Sequence, residues 1–226
     1  MSQIKELYND GKLLVRAMNF PLLYNGIDGL KYDCTEWANE FCMLNDGKLV
    51  NASSTLIIPN VGISTYKNIG YLINSDLADC FHISKTDSNS SGNTSTGEFR
   101  AKEADFETLN ELANYIKENK DATMNEVNIN TSIKSIEGLF FNECQRQDLL
   151  LQAIYVVKKC LKNITGIEYP IYSYDADNGK LNYVELTDEL EQQIIQGLRT
   201  DKLFYWPDED AEPTIDEISS THNKSY

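Results

Sequence analysis

The chain has 226 residues, of which 41% are hydrophobic and 24% are charged, and its formal net charge is -15. This length is enough to bury a core, and the composition is ordinary for a globular protein. An acidic surface repels a phosphate backbone, which argues against a nucleic-acid partner. No apolar run is long enough to span a bilayer, and the N-terminus lacks the pattern of a signal peptide. The sequence therefore predicts synthesis in a cytosol, no membrane span, and export only by a route without a cleaved signal.

Cysteine and histidine usage argues against disulfides and zinc. The five cysteines are odd in number and form no CxxC pair: Cys34, Cys42, Cys80, Cys144 and Cys160. Free thiols in a reducing compartment are the expectation for this pattern. Two histidines are too few for a typical zinc site, and "DADNGKLNYVE" has its glycine and glutamate one position early for a calcium loop. We therefore expect no metal, and a hairpin turn at "DADNG".

The first half of the chain is predicted to consist mainly of strands. The pattern indicates a helix at 2–9, a strand at 12–18, a turn-rich stretch at 20–32, an amphipathic helix at 33–47, strands at 48–59, 68–76 and 79–85, and a mobile polar loop at 86–99. Strands and helices follow one another without the regular alternation of a doubly wound sheet. The fold class predicted is α+β, with mostly antiparallel mixed sheets and interleaved helices.

The second half is predicted to begin with a helix and two strands. The pattern indicates a helix at 105–120, two strands joined by a short turn within 123–141, a helix at 145–163 stopped at Gly166, a hairpin at 168–186, and a last helix at 187–199. Asp188 with Glu191 is the expected capping pair of that helix, with Thr187 as the alternative cap. We expect three parts: a core at 1–143, a helix-hairpin-helix extension at 144–206, and a disordered acidic tail at 207–226.

One candidate site is a cysteine at a helix N-terminus. Cys34 in "YDCTEWANEF" would gain thiolate character from the helix dipole. The segment resembles the nucleophile segment of papain-like cell-wall amidases, whose base histidine lies on a later strand. Asn68 stands where that histidine belongs, and His82 is the candidate base. This pattern gives one alternative function, a papain-like cysteine hydrolase, and the acidic surface gives another, a non-catalytic module for a basic partner.

A second candidate site joins three strands. Arg16 lies on an otherwise apolar strand, and Ser53, Ser54 and Thr55 lie at the centre of the next long strand. Glu126 opens a later strand. A buried strand arginine needs a partner, as do consecutive buried hydroxyls. An anionic ligand with sugar hydroxyls would satisfy all three, so these residues are expected to converge on one cleft.

This ordered set resembles the mono-ADP-ribosyltransferases, in particular the catalytic subunits of cholera and pertussis toxins. The segments that carry the resemblance are "LVRAMNFP", "LVNASSTL", "NIGYLINSDLAD" and "MNEVNINTSIKSIEGLFF", which cover about residues 12–141. Two departures stand out. The hydroxyls read Ser-Ser-Thr where the family has Ser-Thr-Ser, and Met124 replaces a residue that engages an arginine acceptor in the family.

The resemblance implies an NAD cleft between two small sheets, with NAD as the substrate. Glu126, Arg16 and Ser53 are the implied catalytic residues, and Arg16, Ser53, Ser54, Thr55 and Tyr71 the implied NAD-binding residues. Residues 85–99 and 118–124 are the implied recognition elements for a protein acceptor. The implied setting is a bacterial effector secreted into a host cytosol. Met124 leaves arginine modification, another acceptor, NAD hydrolysis or an inactive relative as open alternatives.

Overall fold

The structure is a computed structural model, and it describes residues 3–18, 23–26, 29–32, 48–86, 104–119 and 124–200. The helices are α1 (Gln3–Asn9), α2 (Leu109–Glu118), α3 (Gln147–Thr165) and α4 (Asp188–Thr200). The strands are β1 (Leu13–Ala17), β2 (Leu23–Gly26), β3 (Gly29–Tyr32), β4 (Lys48–Ile57), β5 (Ile69–Asn74), β6 (Asp79–Ser84), β7 (Glu126–Ser132), β8 (Ile136–Asn142), β9 (Ile171–Asp175) and β10 (Lys180–Val184). The predicted α+β class is confirmed.

The described strands form one mixed eight-stranded sheet and a separate β2–β3 hairpin. The order in the large sheet is β10-β9-β8-β5-β1-β4-β7-β6. Its ladders are antiparallel, apart from the parallel pair β8–β9. Strands β1, β5 and β8 lie at the centre of one half, and their apolar residues are almost completely buried. This half holds most of the hydrophobic core.

Strand β4 is shared between the two halves of the sheet, but by different residues. Its C-terminal part pairs with β1, from Val15 opposite Thr55 to Leu13 opposite Ile57. Its N-terminal part pairs with β7, from Lys48 opposite Ser132 to Ser54 opposite Val127, with a bulge between Leu49 and Ala52. Strands β1 and β7 therefore flank different stretches of β4, and the sheet divides near Thr55.

The connection between β7 and β8 forces the sheet to curl. The two strands joined by a short turn that the sequence predicts are present, and the turn is the 3₁₀ segment Ile133–Ser135. They do not pair with each other, because β4, β1 and β5 stand between them. Four strand spacings of a flat sheet cover about 19 Å. Four Cα steps reach at most roughly 14 Å. The two halves must therefore bend toward each other.

The C-terminal elements extend the same sheet. Strand β9 pairs with β8, with Leu139 opposite Ile171, and the β9–β10 hairpin turns at Asp175, whose carboxylate accepts the backbone N–H groups of Asp177 and Asn178. Helix α3 ends at Gly166, which is left-handed with φ +74°. The predicted boundary at residue 143 stays a prediction, but backbone pairing crosses it through β8 and β9.

The last helix begins at Asp188, one residue earlier than a cap at Asp188 would place its first helical residue. Thr187 Oγ1 accepts the backbone N–H of Leu190 at 3.2 Å, so the alternative cap is the one that forms. The Asp188 prediction is therefore wrong. Glu191 turns instead to helix α3, where it accepts hydrogen bonds from Tyr155 and Lys159. A side chain that can bond across to a neighbouring helix is not available to close its own capping box.

Three predicted features lie outside the described residues. They are the helix at 33–47 that carries Cys34, most of the polar loop at 86–99, and the acidic tail at 207–226. Within the described ranges, no helix has the length and apolar character to cross a bilayer.

Candidate functional site

The carboxylate of Glu126 lies at the point where the sheet divides. Glu126 is the first residue of β7, is only 6% exposed, and stands directly opposite Ser84 of β6. Ser53 and Thr55 line the same small pocket from β4, and Ser64, Tyr66, Met124 and Asn125 complete its wall. The structure therefore brings the glutamate together with two of the three predicted hydroxyl residues.

Asn125 holds the Glu126 end of β7 against β4. Its Oδ1 accepts the backbone N–H of Leu56 at 2.8 Å, and its Nδ2 donates to the Leu56 carbonyl at 3.0 Å. Leu56 also pairs with β1, through Leu14. The side chain of Asn125 thus continues the β4–β7 ladder after its last backbone pair, at Ser54 and Val127. The sequence signal was weak, because this role depends on a register that a single sequence does not reveal.

Arg16 lies on β1 and supports the backbone of β4, the strand that carries Ser53, Ser54 and Thr55. Its Nη1 donates to the Ser53 carbonyl at 2.8 Å, next to the last β1–β4 pair. Strand alternation directs Arg16 to the face opposite that of Val15 and Thr55. The described lining of the Glu126 pocket does not include Arg16. The arginine therefore acts on the pocket through the Ser53 backbone in this conformation.

Two other predicted binding residues lie in the core instead of at the pocket. Tyr71 is 0% exposed and stands opposite Arg16 on β5. Ser54 is buried, and its Oγ donates to the Val127 carbonyl at 2.7 Å. Neither side chain has surface available to a ligand here. Their place in the fold is that of scaffold residues.

A strained aromatic residue stands at the pocket rim. Tyr66 has a φ of +67°, in the left-handed region that bulky residues rarely adopt. Its side chain is 66% exposed and also lines a neighbouring pocket of about 430 Å³, together with Lys67, Asn68 and Asn142. Strained residues cluster at functional sites. No pattern in the sequence marks Tyr66, because strain depends on the backbone around it.

Strand β7 also carries an unsatisfied amide on the face of Glu126. Asn128 lies two residues along β7, is 2% exposed, and is opposite Ser53 on β4 and His82 on β6. Its Nδ2 has no hydrogen-bond partner within the described part of the chain. Buried polar groups without partners are rare and mark sites of strain or function.

The residues of the alternative cysteine site are only partly described. His82 is buried on β6, and Cys34 lies outside the described ranges, so the proposed pair stays a prediction. The nearby thiol is not suited to act in its place. Burial, with a smaller contribution from Asp79, raises the pKa of Cys80 to about 11. A thiol with that pKa stays protonated at neutral pH.

Metal ligands do not cluster in the described ranges, where no group of three His, Cys, Asp or Glu side chains could hold an ion. No protein-family model matches the chain. No curated protein matches it significantly. The contacts of the chain's own residues are therefore the basis for assigning a function.

Proposed function

We propose that the protein is an NAD-dependent mono-ADP-ribosyltransferase that modifies a protein acceptor and acts as a secreted bacterial effector. The observation that carries the proposal is the shared pocket of Glu126, Ser53 and Thr55 at the division of the sheet. A buried carboxylate next to hydroxyl groups suits a ribose ring, because it can accept a hydrogen bond from a ribose hydroxyl and face a developing positive charge.

In the proposed reaction, the bond between the ribose C1′ and the nicotinamide nitrogen breaks, and its electron pair leaves with nicotinamide. The ribose carbon gains oxocarbenium character, which Glu126 stabilises electrostatically. A nucleophilic side chain of the acceptor forms the new bond to C1′ and releases its proton to solvent. Holding donor and acceptor together supplies much of the remaining rate.

The neighbouring residues have distinct roles in this proposal. Ser53 and Thr55 contact the ribose, and Arg16 is a positioning residue that fixes the Ser53 backbone. Asn125 holds Glu126 in place through Leu56. Tyr66 offers an exposed ring face at the rim, and Lys67, next to it, lines a pocket of suitable size for the anionic part of a dinucleotide.

Ligand entry requires movement at the rim. The Glu126 pocket encloses about 30 Å³ in this conformation. That space is close to what one water needs. Met124 is 50% exposed and Tyr66 is 66% exposed, so both can turn away without unpacking the core. Movement of such rim side chains is common when active sites close on substrate.

The experiment that tests the proposal follows labelled ADP-ribose. The purified chain is incubated with NAD labelled on the adenosine side and with host-cell lysate, and label on protein is measured. Wild type is expected to label an acceptor. The labelling rate of Glu126→Gln is expected to be at least about a hundredfold lower, which is the usual cost of removing an electrostatic stabiliser.

Glu137→Gln is the matched control for this test. Glu137 is a strand glutamate on β8, where it accepts hydrogen bonds from Gln3 and Asn74 away from the pocket. Its variant is expected to label at the wild-type level. Equal labelling by wild type and Glu126→Gln, with both folded, would contradict the proposed role of Glu126.

A further inference from the structure

An open groove runs between strand β6 and helix α2, on the side of β6 away from β7. It has a volume of about 900 Å³ and is lined on one side by Cys80, Phe81 and Ile83. Phe106 and Tyr115 form its aromatic floor, with ring centroids 5.3 Å apart. Phe81 is 44% exposed. The groove therefore offers apolar and aromatic surface to a ligand at Phe81, Phe106 and Tyr115.

The described part of the groove's rim is acidic. Its described lining includes four carboxylates, Asp105, Glu107, Glu111 and Glu118, and no lysine or arginine. The Glu111 carboxylate is partly engaged, since it accepts the backbone N–H groups of Glu107 and Thr108 in the capping box of α2. Glu107 and Glu118 are exposed at the groove. An aromatic floor with an acidic rim is complementary to a cation that carries apolar surface.

The chain already shows how a cation sits beside this groove. The Nζ of Lys85 lies 5.8 Å from the centroid of the Tyr115 ring and 4.0 Å from Asp105 Oδ1. One ammonium group thus contacts an aromatic face and a carboxylate together. A lysine or arginine of a partner would meet the same two kinds of group in the groove, which is lined by the Phe106 ring and by the carboxylates of Glu107 and Glu118.

We propose that this groove docks a positively charged segment of a partner protein in which lysine or arginine alternates with an aromatic or aliphatic side chain. The cations bind the carboxylates of Glu107 and Glu118, and the apolar side chains pack on Phe81 and Phe106. This is a binding proposal that does not depend on NAD chemistry.

The groove is connected to the Glu126 pocket by one residue. Ser84 stands opposite Glu126, and its Oγ donates to Asp105 Oδ2 at 2.9 Å, while Asp105 lines the groove. A segment docked in the groove therefore lies one strand away from the proposed reaction centre. This link to the reaction centre rests on the proposed function, under which a partner docked in the groove would lie next to the site of its modification.

The test measures binding of fluorescein-labelled peptides to the full chain by fluorescence anisotropy, at about 0.15 M salt. The probe is a short peptide that alternates Lys with Phe. One comparison peptide replaces Phe with Gly, and another replaces Lys with Glu. The Lys/Phe peptide is expected to bind at least about tenfold more tightly than either comparison peptide, because the groove uses charge and apolar contact together.

Variants locate the binding. Two variants are expected to weaken binding of the Lys/Phe peptide by about tenfold or more each: the double variant Glu107→Lys/Glu118→Lys and, separately, Phe81→Ser. The matched control is Glu185→Lys/Glu189→Lys, which makes the same charge change at exposed residues far along the chain. It is expected to bind as wild type does.

Two results would overturn the groove proposal. One is equal binding of the Lys/Phe and Lys/Gly peptides, which would mean that charge attraction alone holds the peptide and that the apolar contacts contribute nothing. The other is binding that the groove variants leave unchanged. Glu126→Gln separates the two proposals, because it is expected to bind the peptide as wild type does whatever becomes of NAD turnover.

Discussion

Strands β5 and β7 are both almost completely buried, yet their chemistry differs. Strand β5 reads IGYLIN, and Ile69, Tyr71, Leu72 and Ile73 all contribute to the core. Strand β7 reads EVNINTS, and its buried apolar residues Val127 and Ile129 alternate with polar residues, of which Glu126 and Asn128 are also buried. Burying polar groups costs free energy unless they find partners. The comparison indicates that the β5 half holds the fold together while the β7 half carries the buried polar groups of the candidate site.

The largest expected effect is on stability in the β5 half. Phe140 of β8 is fully buried, and its ring packs so closely on Gly70 that a Cβ there would lie 2.5 Å from it. Phe140→Ala is expected to lower the free energy of unfolding by about 3–5 kcal/mol, through lost burial and the cavity left behind. Urea denaturation measures this. Tyr183→Ala, at an exposed position, is the control, and a similar loss in both would contradict this picture of the core.

Asn125→Ala is expected to have the next largest effect, in the β7 half. It leaves the N–H and carbonyl of Leu56 without their side-chain partner, and a buried unsatisfied group costs about 1–3 kcal/mol. The expected loss of unfolding free energy is about 2–4 kcal/mol. Asn130→Ala removes a hydrogen bond from a half-buried amide of the same strand to the exposed carboxylate of Asp79, and is expected to cost much less. Equal costs would mean that Asn125 does not hold β7 to β4.

Glu191 links helices α3 and α4, which lie outside both halves of the sheet. Its contribution to stability is expected to depend on pH. Hydrogen bonds from Lys159 and then Tyr155 hold the pKa of Glu191 below its ordinary value of 4.5. A lowered folded-state pKa gives stability above about pH 4.5 that is lost as the pH falls below it. Glu191→Gln is therefore expected to cost about 1 kcal/mol at pH 7, allowing for its partial exposure.

The same variant is expected to show a smaller difference from wild type at acid pH, when thermal unfolding is followed from neutral pH downwards. Glu189→Gln, on the exposed first turn of α4, is the control. If the difference in stability between wild type and Glu191→Gln stays constant or grows as the pH falls, the ionised Glu191 carboxylate does not stabilise the fold.

The smallest expected effect has the opposite sign. Asn128→Leu replaces an amide whose Nδ2 lacks a described partner with an apolar side chain of similar size. Such a change is expected to raise the free energy of unfolding by up to about 1 kcal/mol and to reduce NAD turnover, as occurs where function costs stability. Asn130→Leu, a neighbouring half-buried position, is the control. A loss of stability in Asn128→Leu would mean that the amide supports the fold.

Local features of the fold could be predicted from the sequence because they depend on nearby residues. The strands around Leu14, Leu56 and Leu72 follow from short apolar runs, and the end of α3 follows from Gly166. The strand order could not be predicted, since β7 and β8 are adjacent in sequence but separated by three strands.

The candidate site could be predicted only in part, for the same reason. Glu126, Ser53 and Thr55 could be identified from their residue types and their order on successive strands along the chain. The burial of Tyr71, and the face of the sheet on which Arg16 lies, depend on pairing partners far along the chain. Asn125 and Tyr66 were not identified, because a ladder completed by a side chain and a strained φ are properties of the folded backbone.

Nicotinamide release by wild type and Glu126→Gln, measured together with NAD affinity, tests the central claim most directly. The predicted result is that Glu126→Gln binds NAD within about threefold of wild type and releases nicotinamide at least about a hundredfold more slowly, because the carboxylate acts on the transition state. Equal release by both proteins, or no binding of NAD by the folded wild type, would contradict the claim that this pocket is the site of ADP-ribosyl transfer.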